Sequence, residues 1–556
     1  MRKQIIKFLF LLLVFGYAME AKSDEFTVDG IRYYYDYSTK EGEVSVTRSI
    51  SGKYSADNIV IPSTVTYNGK QYTVTSIGDN AFSSCYNLTK VTIPNSVKTI
   101  ENSAFKGCTG LKTVTIGNSV TTIGISAFAG CTGLTEVTIP NSVTTIWSGA
   151  FGHCDNLKKV IWNARNVENP PRSSPFSNCD QLTNFIFGEN IQSIPSHLCY
   201  ELKSLNTIII PNSATSIGDF AFSSCTGLTE VTIPNSVTKI GYEAFAGCTG
   251  LTEVTIPNSV TEIGSGAFDS CTGLTTVTMG NSMKNIGSSA FAGCTGLTKV
   301  TIPNSVTFIG TWAFKDCSGL AAVTIGNSVN SMGDGVFAGC TGLTTVTMGN
   351  SVLSIEDKAF YNCKSLDHVT SKAMLPPRIW ATTFDDYAMP LYVPNGCKSR
   401  YSGAEYWRNF TDIREATLYK VTANATDETM GYVTGAGEYP KGSTATLVAV
   451  PFGQNYFVRW NDGNTDNPRT ITVTGDMTFT AEFAPAGSAV ETLENGERGI
   501  YATGRTLHVE NGGESYRVYT AAGRLVYTGN DSSVTLSAPG MYIVRTGDRS
   551  QKVAVK

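Results

Sequence analysis

Apolar residues return along this chain on a fixed beat. In residues 123–143, IGISAFAGCTGLTEVTIPNSV, the apolar positions are Ile123, Ala127, Phe128, Cys131, Leu134, Val137, Ile139 and Val143. Phe128, Cys131 and Leu134 are three apart, which predicts a helical or 3₁₀ turn. Val137 and Ile139 are two apart around β-branched Thr138, which predicts a short strand with one buried face. Pro140 and Asn141 then turn the chain. Gly124 opens the turn before Phe128, at a place where backbone approaches backbone. The same spelling recurs every 23 residues: Cys85, Cys108, Cys131 and Cys154 keep that spacing, and so do the cysteines from Cys225 to Cys363. Cys179 follows Cys154 by 25 residues, and Leu202 takes the cysteine's place 23 residues later. Phenylalanine stands three residues before the cysteine position from Phe82 to Phe360, except where Cys199 replaces it. Such a period predicts a solenoid in which each repeat stacks on the next. A lone repeat, wet on both flanks, cannot offset the entropy of ordering its own chain, so stacking is obligatory.

The strand-and-turn unit Leu134-x-x-Val137-x-Ile139 matches the leucine-rich repeat pattern. The recurring IGxxAFxxCxxLxxVxIPNSV units, from about Ile77 to Val369, closely resemble the BspA-like leucine-rich repeat family. The expected fold is therefore an α/β-solenoid. It is a curved, right-handed leucine-rich repeat superhelix of 13 repeats of ~23 residues, followed by two small all-β domains. At about 4.8 Å per repeat, the rod would be on the order of 60 Å long. The resemblance implies binding to other proteins at cell surfaces, with partners that differ from member to member.

The expected domains follow from where the beat starts and stops. Residues 1–21 read as a signal peptide: Arg2, Lys3 and Lys7 precede a short apolar run, then small residues. Residues 22–76 resemble the family's N-terminal β cap, 77–370 are the solenoid, and 371–416 resemble its C-terminal cap. Residues 417–485 read as a small β module. Its FVRWNDG stretch, from Phe457 to Gly463, resembles internalin-B-type repeats. Residues 486–497 form a polar linker. Residues 498–556, with YRVYTAAGRLV at 516–526 and PGMYIV at 539–544, resemble the β-sandwich sorting domain of type IX secretion. That resemblance implies contact with secretion machinery through 498–556 and a secreted or outer-surface location.

Composition narrows the function. Charged residues make up 16% and the net charge is −4, or −7 once the three basic residues of a signal segment are lost. Such a charge, with no basic patch, argues against nucleic acid. No later stretch of the mature chain is apolar and long enough for a transmembrane helix. The four histidines show no metal-ligand spacing, and no nucleophile elbow or phosphate loop occurs. The chain is expected to be no enzyme, with no catalytic, cofactor or metal residues. Asp462, Asn464 and Asp466 alternate as calcium ligands do, but the glycine and glutamate of that motif are missing, so a turn is expected. The fourteen cysteines could form disulfides in an exported protein. Side chains stacked in register would strain the S–S dihedral, and leucine replaces one member without upheaval. Free buried thiols are therefore expected.

Candidate partners are proteins or glycans of a host matrix or of other cells; a spacer protein without a tight ligand is the bland alternative. Two surfaces could carry recognition. One is the outward side of the strands, represented by Thr135, Glu136 and Thr138. Its nearly identical repeats suit many weak contacts acting together. The other is the irregular block 153–207, where Trp162, Arg165 and Arg172 are residue types that anchor interfaces. In the tail, Trp460 with Tyr456 is the candidate sugar-binding pair.

Overall fold

The computed structural model describes residues 24–35, 42–167, 173–442, 444–452, 455–485, 500–503, 506–509, 515–520, 525–536, 540–546 and 549–555. The expected signal peptide, the linker 486–497 and Arg172 lie outside these residues. The chain forms two compact units. The first runs to residue 422 and adds 434–447 and 470–478; the second comprises 423–433, 448–469 and 479–556.

The first unit is a parallel-strand solenoid of about 15 turns. Each coil carries the strand predicted from Val137 and Ile139, here Glu136–Ile139. Most coils also carry a second, two-residue strand, here Thr145–Ile146, that the apolar spacing did not announce. Within a ladder, strands pair in parallel with their counterparts in the next coil: Val137 sits opposite Val160, and Ile123 opposite Ile146. The period of 23 thus keeps register, because any slip would turn inward side chains out. The ladder of longer strands is interrupted after Thr113–Thr115, after Asn184–Phe187 and after Glu230–Thr232. The count exceeds the expected 13 because the end segments also add strands. Asn58–Val60 pairs with Lys90–Thr92 at one end, and Leu391–Pro394 and Ile413–Ala416 extend the ladder at the other.

The helical side of the expected α/β-solenoid is not helix. Ser103, Phe105 and Gly107 donate their amides to Ile125, Ala127 and Ala129 of the next coil, at 2.9, 2.6 and 2.7 Å. The amides between them, on Ala104, Lys106 and Cys108, turn back to Glu101, Ser103 and Phe105. Every second amide is therefore committed to a neighbouring coil, whereas an α-helix needs each one for its own i−4 carbonyl. The backbone enforces this with a left-handed residue at every fourth place, as at Ser126 (φ 53°) and Gly130 (φ 71°). For residues other than glycine each such place costs about 1–2 kcal/mol. The result is a third hydrogen-bonded side made of consecutive turns. Coils approach so closely that a Cβ on Gly273 would stand 2.3 Å from the Thr249 carbonyl oxygen.

Inside, the phenylalanines stack ring on ring. Phe105 and Phe128 have centroids 4.9 Å apart, and Phe268 and Phe291 5.3 Å apart, each pair within 5° of parallel. The cysteines lie beside this stack, all fourteen free and buried. Each thiol of the regular coils donates to the phenylalanine carbonyl one coil back, as Cys248 does to Phe222 at 3.2 Å. This gives the cysteine position a role beyond volume: it adds a weak donor to a buried carbonyl. Both ends of the stack are closed by aromatic residues. Tyr54 lies 4.7 Å from Phe82, and Phe384 lies 5.0 Å from Phe360, followed by Trp407 and Phe410.

In the second unit, Tyr456–Trp460 pairs antiparallel with part of Met477–Ala484. Farther on, two antiparallel sheets enclose Leu507, Val509, Tyr516, Val518, Leu536, Tyr542, Val544 and Val553. Among the described residues no helix is long and apolar enough to cross a membrane.

Candidate binding surface

Alternation along the longer strands decides what reaches solvent. In Glu136–Ile139, Val137 and Ile139 are buried, whereas Glu136 and Thr138 are exposed, as is the preceding Thr135. Glu136 faces Lys159 of the next coil in an ion pair of 2.9 Å. Both side chains are well exposed, so the pair contributes at most about 1 kcal/mol. Many surface threonines also serve the stack: Thr229, Thr275 and Thr344 donate their hydroxyls to Asn206, Thr252 and Ala321 carbonyls one coil back.

The block 153–207 departs from this lattice in three ways. First, Trp162 is not on the surface. It is fully buried, with its ring beside Phe176 and Phe185. Cys199 leaves a gap in the phenylalanine stack, and Phe187 of the neighbouring strand reaches Phe222 across it. Trp162 and these phenylalanines fill the interior where the spine is interrupted, so the expected anchor is core. Second, the ladder of two-residue strands stops at Thr145–Ile146 and resumes at Ser193–Ile194 among the described residues. Arg165 sits in that interval with an exposed side chain, and its carbonyl accepts the Gln192 amide at 3.0 Å.

Third, the outward threonine row changes chemistry. The place held by Thr138, and again by Thr232, Thr255 and Thr278, is taken by Ile161, Ile186 and Ile209 in three successive coils. Ile161 lies directly opposite Thr138 on one side and Ile186 on the other. Ile186 is 41% and Ile209 75% exposed. The period already held this signal, which appears once the coils are aligned by their cysteines.

Trp460 is also not a surface platform. It is fully buried, and its indole N–H donates to the Asp466 carbonyl at 2.8 Å. The loop it braces is the expected turn: the Gly463 amide donates to the Trp460 carbonyl, and Asp462 is gripped by both guanidinium nitrogens of Arg469. Arg469 holds the Asp462 carboxyl below its ordinary range.

The BspA type leucine rich repeat region matches this chain in six copies, over residues 51–170, 172–298 and 261–377. The chain belongs to that family. No curated protein matches it. Among solved structures, this BspA-type chain is similar to a leucine-rich repeat protein from Bacteroides ovatus. The identity is 26%, the TM-score 0.49, and the match covers 70% of this chain and all of that one. A leucine rich cell surface protein from Faecalibacterium prausnitzii is 28% identical, with a TM-score of 0.34, covering 63% of this chain and 94% of that one. The pneumococcal vaccine antigen PcpA is 18% identical, with a TM-score of 0.40, covering 71% and 99%.

Proposed function

We propose that this chain is an exported cell-surface protein, adhesin-like, whose solenoid is a binding scaffold rather than a catalyst. Its partner is a protein of another cell or of a host matrix. The observation that carries this reading is the isoleucine stripe of Ile161, Ile186 and Ile209. Single exposed apolar residues are ordinary. Ile161 and Ile186 stand opposite each other and Ile209 holds the same place in the next coil, in a row where the other regular coils carry threonine, which supports partner contact. Arg165 is the charged neighbour in the same block, and Thr135, Glu136 and Thr138 border it on the preceding coil. Residues 1–21 are the export signal and residues 498–556 the sorting domain in this reading, with 417–485 as a spacer module.

The test restores the lattice. Ile186→Thr with Ile209→Thr places on these strands the residue that the other coils already carry, so the fold should be unaffected. We expect the full-length variant to bind at least tenfold more weakly to whole cells and to purified matrix proteins that retain the parent protein. Equal retention of parent and variant on every such surface would refute the assignment.

A further inference from the structure

The turn side of the solenoid carries a feature that the strand face does not explain. The first left-handed place of a coil is held by small residues at Ser103, Ser126, Gly149, Gly266, Ser289 and Gly335, and by Asn80, Glu243 and Lys358 in three other coils. In three coils an aromatic residue stands there instead: His197 (φ 57°), Phe220 (φ 55°) and Trp312 (φ 58°). A bulky side chain at positive φ is strained, and strain of this kind concentrates where a surface has work to do. The rings are also assembled. His197 stacks on Phe220 with centroids 4.8 Å apart, and Tyr242 meets Phe220 edge-on at 5.1 Å. Tyr200 closes the group at 6.4 Å from Phe220. Four coils farther on, about 19 Å at the strand spacing, Trp312 lies across the next coil. Its ring passes 2.6 Å from where a Cβ on Gly335 would be, so only glycine permits that pose. The indole remains 51% exposed and Tyr242 46%.

Between these two aromatic ends the surface is low and polar. Gly266 and Ser289 hold the left-handed places, with Ser265 and Ser288 beside them. Glu243 lies over Gly266, and Asp269 stands three residues after Gly266 on that next coil. Glu201 and Glu243 lie close enough to the Tyr200 and Tyr242 phenols to raise their pKa.

We propose that this lane binds a linear, uncharged polysaccharide, seated on Phe220 and Tyr242 at one end and on Trp312 at the other. Sugar rings present C–H faces that stack on aromatic rings and hydroxyls that donate to carboxylates. Sugar units in an extended chain also repeat at a length close to one coil, so successive rings meet equivalent backbone. Charge sets the class. Glu201, Asp219, Glu243 and Asp269 repel an anionic glycan. At the far end Lys315, whose ammonium is 5.9 Å from the Trp312 ring centroid, is paired with Asp316 at 3.5 Å, and a hexalysine control tests the cationic alternative. An added β-strand finds no free edge here, because amides of Phe220, Phe222 and Ser224 already donate to the next coil.

The experiment uses the full chain and titrates it with neutral linear hexasaccharides, one of hexoses and one of N-acetylated hexosamines, with the disaccharides and hexalysine as controls. The variants are Trp312→Ser, and Phe220→Ser with Tyr242→Ser. Serine holds the left-handed place of Phe220 and Trp312 at Ser126 and Ser289, and the place of Tyr242 at Ser265 and Ser288, so the thermal midpoint should hold or rise. We expect at least one hexasaccharide to bind at least tenfold more tightly than its disaccharide, and each variant to lose at least tenfold. Ile186→Thr with Ile209→Thr should leave this binding intact, which separates it from the protein contact proposed above. Absence of binding by either hexasaccharide, binding insensitive to both variants, or preference for hexalysine would overturn the proposal.

Discussion

The Cys248 thiol is enclosed on all sides, with the Phe222 carbonyl as its acceptor. Burial disfavours the thiolate and pushes the pKa of Cys225, Cys248, Cys271 and Cys294 well up. A thiolate is the reactive form, so these residues are inert while folded. The sign of the pH effect follows. In the unfolded chain the thiols titrate near about 8.5, so above that pH the unfolded state loses protons that the native state keeps. Stability from the cysteine row should be complete below about pH 8.5 and fall as pH rises beyond it. Thermal midpoints at pH 7, 9 and 10 would show this, together with thiol titration before and after unfolding without reductant. A midpoint flat to pH 10, or few free thiols after unfolding, would contradict it.

Among elements, the legible ones were those whose side chains alternate between core and solvent. Val137 and Ile139 announced their strand because burial of both requires a period of two. Thr145–Ile146 is too short for any period to show, although its parallel partners hold one whole side of the coil. The three-residue spacing of Phe128, Cys131 and Leu134 predicts a helical or 3₁₀ turn, and the i−3 bonds from Cys131 to Phe128 and from Leu134 to Cys131 are turns of that kind without a helix. The spacing reflects consecutive turns, and the left-handed residues that make them include serine, glutamate and tryptophan, which advertise nothing. Trp162 was misplaced for a related reason: residue type alone speaks for an interface, but the gap at Cys199 draws the ring inward. The isoleucine stripe is present in the letters but shows only against the threonine row, once the coils are aligned by their cysteines. Close coil contact also makes a prediction at this scale. Gly273→Ala should cost roughly 1–3 kcal/mol, since the added carbon meets backbone rather than a movable side chain. Gly403→Ala, with nothing within 4 Å of the added carbon, is the matched control. Urea unfolding of both variants measures the difference, and equal effects would refute the close-contact argument.

For the solenoid as a body, stability passes only from each coil to the next, so its two ends are where it is exposed to error. Tyr54 at one end and Phe384, Trp407 and Phe410 at the other shield the phenylalanine stack. Ending the chain after residue 371 would bare Phe360 and leave the strand His368–Ser371 without its partner Leu391–Pro394. An uncovered edge of this kind pairs with other molecules. The truncated chain should therefore self-associate at concentrations where the full chain does not, as light scattering would show. A monodisperse truncated monomer would contradict this.

Residues 225–238 and 248–261 are identical letter for letter, and they lie between Phe220 and Trp312. Misaligned recombination between the two stretches would insert or delete a single 23-residue unit in one event. Every hydrogen bond of the remaining coils would re-form unchanged, because the unit removed is a whole number of periods. Insertion would repeat Tyr242 and move Trp312 one coil farther from Phe220, whereas deletion would remove Tyr242 together with its coil. Lineages could thus lengthen the reach of this surface through gene rearrangement alone, without a point mutation at either end.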